Sequence, residues 1–340
     1  VVNVVDLESY VKGVIPSEVP SSYGMEALKA QAVCARSYAY IQMMHNKYEA
    51  YGAHVDDSVN FQVYNKQNQT PETVAAVDET KGQVLSYKGD IIETYYYSTS
   101  YGHTGDYEAW NLDKDAYGYL QGVWVRSEEN PIDLSDEKSF LDYISNVDSA
   151  CYESDLKYFR WNTVLDFQGK DETLLHTIAD RKEHQPEAIS YYKDASKTEK
   201  TDSCSNFGSL QAIKVEKRNQ SGVILELELD FQNGAVSVQS EYNMRAILGC
   251  GITNINLLDG SSVEMSILPS AYISIQAKGD GTYAVLGGGY GHGIGMSQNG
   301  AQKLCGQGFD YKRILNYFYQ DTELTELYQP QNMTKEEGGA

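Results

Sequence analysis

The chain has 340 residues, enough to bury a substantial core as one large domain or two lobes. With 41% hydrophobic and 22% charged residues, 28 Tyr and 8 Phe, it has the composition of a folded protein rather than a disordered one. A formal net charge of -21 excludes nucleic acid or anionic lipid held by a general electrostatic field, but suits a neutral or zwitterionic polymer, such as a carbohydrate, gripped by hydrogen bonds and ring stacking.

Residues 1–5 read as a strand, and 6–11 as a short helix opened by Asp6 as its cap. Pro16 and Pro20 flank Glu18 and fix their own φ, so 14–20 is expected to be a stiff loop. After Ser21 or Ser22, apolar Met25, Leu28, Ala32, Ala35, Ala39 and Met43 recur at three and four residues and predict a long helix to about Lys47. From 62 to 101 the pattern turns β-like, with a hairpin of 83–87 and 91–97 about Lys88-Gly89-Asp90. Its second strand leads into the small polar segment Ser98-Thr99-Ser100-Tyr101-Gly102-His103-Thr104, of a kind that often faces a ligand. The polar stretch 111–205 reads as peripheral loops and short helices. Strands are expected at 210–216, 222–230 and 236–238, with turns at 219–222 and at Asn233-Gly234. Asp310 caps a last helix carrying Ile314, Leu315, Tyr317 and Phe318, and a solvated tail follows.

No stretch reaches the ~20 apolar residues of a membrane span, and no signal-peptide pattern opens the chain, which starts at Val1. The expectation is that a removed signal peptide or membrane anchor preceded it. The five cysteines form no C-x-x-C pair. Cys34 and Cys250 sit in apolar runs as buried thiols, whereas Cys151 and Cys204 flank a polar stretch and are candidates to pair outside the cell.

Glycine-rich residues 285–300 look like a dinucleotide loop but fail the test: from Gly289 and Gly291 the third glycine position is Ile294, and from Gly291 and Gly293 it is Met296. Nor is this a nucleophile elbow, because Gly295-Met296-Ser297-Gln298-Asn299 lacks its final glycine. What remains is a loop open to close approach, with His292 in its middle. On spacing alone, a tight structural loop with a hydrogen-bonded His is the simpler reading. The six histidines are scattered, and His103 has only Thr104, Asp106 and Glu108 nearby. Glu18 stands among apolar, stiff neighbours, where partial desolvation would raise its pKa toward that of a general acid, although a solvated loop Glu is the commoner case. Tyr101, Tyr290 and Trp110 offer faces for sugar rings, or packing.

Three segments together resemble the SpoIID/LytB family of stage II sporulation protein D and amidase enhancers. They are Leu7-Glu8-Ser9-Tyr10-Val11-Lys12-Gly13-Val14-Ile15-Pro16-Ser17-Glu18-Val19-Pro20, running on through Lys29, Gln31 and Arg36; Ser98-Thr99-Ser100 with Gly102 and Thr104, preceded by Gln62-Val63-Tyr64; and Gly291-His292-Gly293-Ile294-Gly295-Met296-Ser297-Gln298-Asn299-Gly300-Ala301. The resemblance implies a peptidoglycan lytic transglycosylase, in which the muramic acid 6-hydroxyl attacks its own anomeric carbon to leave a 1,6-anhydro end. Glu18 matches the family's acid/base. Such chemistry needs one carboxylate, because the nucleophile belongs to the substrate. Lys29, Gln31, Arg36, Ser98, Thr99, Ser100, Tyr101, His292, Ser297 and Gln298 are the expected substrate-binding positions. Some members bind zinc through a Cys in the small-residue segment and a nearby His; here Ser100 stands in that place, so no cofactor is required, and His103 is the one zinc candidate.

The expected fold is therefore α+β, with β-rich mixed lobes around a cleft lined by Glu18, Ser98, Thr99 and His292 and one long helix after the catalytic loop. Residues 1–110 would open the catalytic core, 111–205 form a polar peripheral insertion, 206–330 complete the core with the glycine-rich loop, and 331–340 form a disordered tail. The expected partners are glycan strands and a cell-wall amidase or membrane protein, outside the cytoplasm, with sporulation (engulfment) as the family's association. Two competitors stand beside this reading: a non-catalytic glycan-binding amidase enhancer, and a hydrolase pairing Glu18 with Asp56 or Asp57.

Overall fold

Asp6 opens helix α1 (Leu7–Glu18), its carboxylate accepting the Ser9 N–H at 3.0 Å. The helix does not stop near Val11. It runs through Pro16 to Glu18, so the loop expected over 14–20 is largely helical. Proline inside a helix removes an N–H and crowds the turn before it, at a cost of about 3 kcal/mol. The compensation is burial of Val11, Val14 and Ile15 at helical spacing, worth roughly 1.5–3 kcal/mol per side chain. Pro20 acts as its chemistry dictates: Val19 before it is extended and ends the helix.

The structure, a computed structural model, describes residues 2–57, 61–64, 68–128 and 130–328, so the tail expected at 331–340 lies outside it. The α+β class holds, with several small sheets and, among the described residues, no barrel. The chain forms two compact units, the first taking the chain up to Thr94 together with Phe309–Asn316 and the segment from Asp321 on, the second Tyr95–Gly308 and Tyr317–Gln320.

In the first unit α2 (Met25–His45) follows a single 3-10 turn, Ser21–Tyr23. Its Leu28, Ala32 and Ala35 share one buried cluster with Val11, Val14 and Ile15 of α1 and with Ala76 and Val77 of α3 (Pro71–Glu79). Helix α3 lies inside the stretch that reads as β-like. Its signal is local: Thr70 and Thr73 form a reciprocal capping box, with Pro71 at the first helical position. The predicted hairpin forms from β1 (Gln83–Tyr87) and β2 (Asp90–Ile91), but the second strand stops at Ile91. The other edge of β1 is covered by an antiparallel strand from the end of the chain, Glu323–Glu326. Asp310 caps the last helix, Tyr311–Phe318, by accepting the Arg313 N–H at 2.8 Å.

The second unit contains strands β3 (Tyr96–Tyr97), β4 (Trp161–Asp166), β5 (Ile189–Tyr192), β6 (Lys200–Thr201), β7 (Leu210–Arg218), β8 (Ile224–Phe231), β9 (Gly234–Val238), β10 (Ile255–Leu257), β11 (Ser262–Val263), β12 (Ile273–Ala277), β13 (Thr282–Gly287) and β14 (Met296–Ser297). Two antiparallel sheets run in the orders β6-β5-β9-β8-β7 and β11-β10-β4-β13-β12, and β14 pairs with β3 in parallel. Helices α4 (Lys114–Tyr117), α5 (Glu137–Ile144), α6 (Asp171–His184), α7 (Glu241–Gly249) and α8 (Gln298–Gly306) accompany them. Leu174 and Ile178 of α6, Met244, Ile247 and Leu248 of α7, and Leu227, Leu229, Val236, Ile273 and Val285 of the sheets fill one core. The strands expected at 210–216, 222–230 and 236–238 are β7, β8 and β9. The stretch 111–205 is less peripheral than its polarity suggests, because β4 is the middle strand of its sheet. Along β4, buried Trp161, Thr163 and Leu165 alternate with more exposed partners, the period-two pattern of a strand.

Candidate functional site

Glu18 is the last residue of α1, half-buried, and its Oε1 accepts the Val63 N–H at 2.8 Å. The chain is held at that point by Gln62, whose Nε2 donates to the Ala35 carbonyl of α2 at 3.2 Å. Gln62 to Tyr64 thus serve the Glu18 end of the first unit. Tyr64 stacks on Tyr10 with ring centroids 5.6 Å apart and planes 2° from parallel. Gly13 makes room for that stack, since a Cβ there would lie 2.3 Å from the Tyr64 ring. Burial pushes the Tyr10 phenol above its ordinary pKa, and the negative charge of Glu18 adds to the shift, as do Tyr38, Tyr64 and Asp56. Among the described residues, the buried Tyr10 hydroxyl has no hydrogen-bond partner. Asp56 is half-buried and accepts from the Tyr48 hydroxyl at 2.9 Å, whereas Asp57 is exposed. Neither Tyr10 nor Tyr64 was singled out by sequence reasoning. Their spacing from Glu18 marks them only once 14–18 is known to be helical and 62–64 to lie against its end.

The α2 positions differ among themselves. Lys29 is paired with Glu26 (2.9 Å) and Glu79 (2.7 Å). Gln31 is buried, and neither atom of its amide has a partner among the described residues. Arg36, expected to bind substrate, is 0% exposed and fully engaged inside the unit. Its guanidinium meets Glu8 through two bonds of 2.9 and 2.8 Å and donates to the Gln83 carbonyl at 3.0 Å and that of Val77 at 3.3 Å. Arg36 thus ties the start of α1 to α3 and β1. Glu8, its partner, also accepts the Gly82 N–H at 3.1 Å.

In the second unit the small polar segment and the glycine-rich loop meet. The β3–β14 pairing sets Tyr96 opposite Met296 and Tyr97 opposite Ser297, and Thr99 and Tyr290 exchange backbone bonds of 3.1 and 2.8 Å. Glycine is required there by contact as well as conformation: at Gly295 (φ +77) a Cβ would lie 2.1 Å from the Tyr95 carbonyl, and at Gly293 (φ +81) 2.2 Å from the Tyr272 ring. His292 donates from Nε2 to the Tyr96 carbonyl (2.8 Å) and accepts the Ile294 N–H at Nδ1 (3.1 Å). Burial pushes its pKa down to about 4. Both ring nitrogens are thus used by backbone, so His292 shapes the loop and is no proton carrier. Tyr101, expected among the ligand contacts, is a core residue: fully buried, donating to the Ser221 carbonyl at 2.6 Å and stacked on Tyr272 at 4.4 Å. Thr99, Ser100 and Ser297 are buried, Ser98 is half-buried, and Gln298 is 9% exposed. Ser297 caps α8 through the Gly300 N–H at 3.1 Å.

Sequence reasoning also passed over Glu153, which is fully buried. It accepts the Ser100 N–H at 3.0 Å, the Ser297 hydroxyl at 2.7 Å and the Ser100 hydroxyl. Burial raises its pKa to about 7, with the bonds from Ser100 and Ser297 opposing that rise. No local pattern in Cys151-Tyr152-Glu153-Ser154-Asp155 distinguishes it from a surface acid.

His103 is buried among backbone partners. Its Nδ1 lies 2.5 Å from the Thr104 carbonyl, burial pushes its pKa down to about 4, and the Ser100 hydroxyl that stands where a thiolate would is bound to Glu153. Among the described residues, no three His, Cys, Asp or Glu side chains gather as a metal site. Cys151 and Cys204 are free cysteines and do not pair. Cys151 lies against the Tyr143 hydroxyl and Cys204 faces the Leu175 carbonyl. Among the described residues no helix is long and apolar enough to cross a membrane.

Residues 1–87 match the SpoIID family, described as stage II sporulation protein, and 181–295 match a domain of unknown function, DUF8618. The chain is 28% identical over 329 residues to an amidase enhancer of Bacillus subtilis (strain 168), covering 93% of this chain but 40% of that protein. It is 27% identical to an uncharacterized protein of Brachyspira hyodysenteriae (96% of this chain, 68% of the relative) and 26% identical to the stage II sporulation protein D of Bacillus subtilis (95% and 75%). The family match covers the α1 and α2 segment with Glu18, and the chain is similar over nearly its whole length to relatives named amidase enhancer and stage II sporulation protein D.

Proposed function

We propose that this chain is a peptidoglycan lytic transglycosylase, acting outside the cytoplasm on the bond between N-acetylmuramic acid and N-acetylglucosamine, with Glu18 as its acid/base. The observation that carries the reading is the setting of Glu18: a carboxylate at the end of a helix that runs through the half-buried Pro16, held by the Val63 N–H, with its charge acting on Tyr10 of the Tyr10–Tyr64 stack. In the proposed reaction the Glu18 carboxyl gives its proton to the glycosidic oxygen as the bond to the muramic anomeric carbon breaks. The carboxylate so formed takes the proton of the muramic 6-hydroxyl as that oxygen closes on the same carbon. The proton balance closes and no water is consumed. The names of the relatives support a cell-wall setting, and the amidase enhancer suggests an amidase as a working partner.

The test is mass spectrometry of muropeptides released from purified peptidoglycan by wild type and Glu18→Gln. The reading requires 1,6-anhydro ends that vanish in the variant. One observation favours a second reading. Asp56 lies in the same unit and its charge, like that of Glu18 but more weakly, raises the Tyr10 pKa, which makes it the candidate second carboxylate of a hydrolase. Free reducing ends would establish hydrolysis, and binding without any product would establish a glycan-binding enhancer.

A further inference from the structure

Glu153 is the buried acid that the proposed reaction leaves without a task. A dry carboxyl is a costly way to fill space, and an amide of the same shape would cost less unless the acceptor capacity is used. Here it is used three times: a single carboxyl group takes an N–H and a hydroxyl from Ser100 and a hydroxyl from Ser297. Ser100 belongs to the small polar segment after β3, and Ser297 to the end of the glycine-rich loop where it caps α8. Glu153 comes from a third part of the chain and fastens the two together.

What the two segments jointly present is a polar edge. Asn299 Nδ2 donates to the Ser98 carbonyl and to Thr99 Oγ1, both at 3.0 Å, and Ser98 Oγ lies 3.2 Å from Thr99 Oγ1. Ser98 and Asn299 are half-buried, as is Tyr290, whose backbone is bridged to Thr99. A hydroxyl and a primary amide held side by side suit the hydroxyl and acetamido groups of an amino sugar. We propose that Glu153 is a positioning residue, whose carboxyl group holds the Ser98–Thr99–Asn299 edge in the geometry that receives the glycan strand. This rests on the glycan reading above and extends it to the second unit.

The experiment uses the full chain and soluble, peptide-free glycan strands as probe, comparing wild type, Glu153→Gln, Asn299→Ala and the double variant by apparent KM and kcat for release of chain ends. Glu153→Gln is expected to raise KM about tenfold, the effect of one displaced hydrogen bond, with kcat within about twofold. Asn299→Ala is expected to do the same, and the double variant to be no worse than the poorer single one, because both act through one edge. Should Glu153→Gln not fold, Ser100→Ala carries the test, with a smaller rise in KM in the same direction. An unchanged KM, or effects of Glu153→Gln and Asn299→Ala that simply multiply, overturns the inference. If wild type releases no ends, the same variants are compared by equilibrium binding of the strands. Weaker binding by Glu153→Gln then supports this inference while the lytic reading fails, and an absence of binding by wild type overturns both.

Discussion

Replacing Glu153 by Gln should change how stability depends on pH, and in a direction opposite to that of a salt-bridged acid. The carboxyl titrates near 4.5 when unfolded and at about 7 in the fold, raised by burial. The native state therefore holds its proton more tightly, so the stabilisation is complete below pH 4.5 and is lost as pH rises through 7. A shift of about 2.5 pKa units corresponds to about 3 kcal/mol. Wild type should lose that much relative to Glu153→Gln between pH 4.5 and 8, since the amide does not titrate. For a unit of about 200 residues this is a relative shift of roughly 6–12 °C in Tm. Thermal unfolding of both proteins at half-unit steps across that range measures the difference directly. Because the net charge of the rest of the chain is common to both, its repulsion cancels. Curves that run parallel, with a constant gap between the two proteins, would refute the reasoning.

Arg36→Ala should cost about 3–5 kcal/mol in urea unfolding, because it strands the Glu8 carboxylate inside the first unit; Glu8→Ala in the same chain should recover part of the loss. Gly295→Ala should lower Tm markedly, since a Cβ would meet the Tyr95 carbonyl at a positive φ; Gly306→Ala, with nothing within 4 Å, should be neutral or stabilising by up to about 1 kcal/mol. Nitrogen NMR of the imidazoles should show His292 as the neutral Nε2–H form from pH 8 down to about 4, and a protonation midpoint near 6.5 would contradict the backbone bonds assigned to both nitrogens.

Where neighbours in sequence decide structure, the chain could be read. The spacing of Leu28, Ala32 and Ala35 marks α2, Asp6 and Asp310 mark helix starts, and Asn233-Gly234 marks the turn between β8 and β9 to within one residue, since it is made by Gln232-Asn233 and Gly234 opens β9. Where tertiary burial overrides a local rule, reading failed: Pro16 suggests a loop, yet the core contacts of Val11, Val14 and Ile15 carry the helix through it. Arg36 and Tyr101 look like surface groups aimed at a ligand, but their partners are Glu8 and Tyr272, far away in sequence. Glu153 was invisible for the same reason, because its meaning comes from Ser100 and Ser297. The site positions carried by the resemblance, Glu18 above all, follow from motif matching, and no periodicity would have isolated them.

The antiparallel pairing of β1 with Glu323–Glu326 has a consequence for biosynthesis. Ser86 and Glu323 are 237 positions apart, so at 5–20 residues per second the ribosome needs about 10–50 s to deliver the partner after β1 has emerged. Throughout that interval one edge of β1 offers unpaired backbone groups to any strand that passes, including the β1 of a neighbouring nascent chain. Slow codons anywhere between β1 and Glu323–Glu326 lengthen that interval, so they should lower the yield of folded protein more than slow codons ahead of β1.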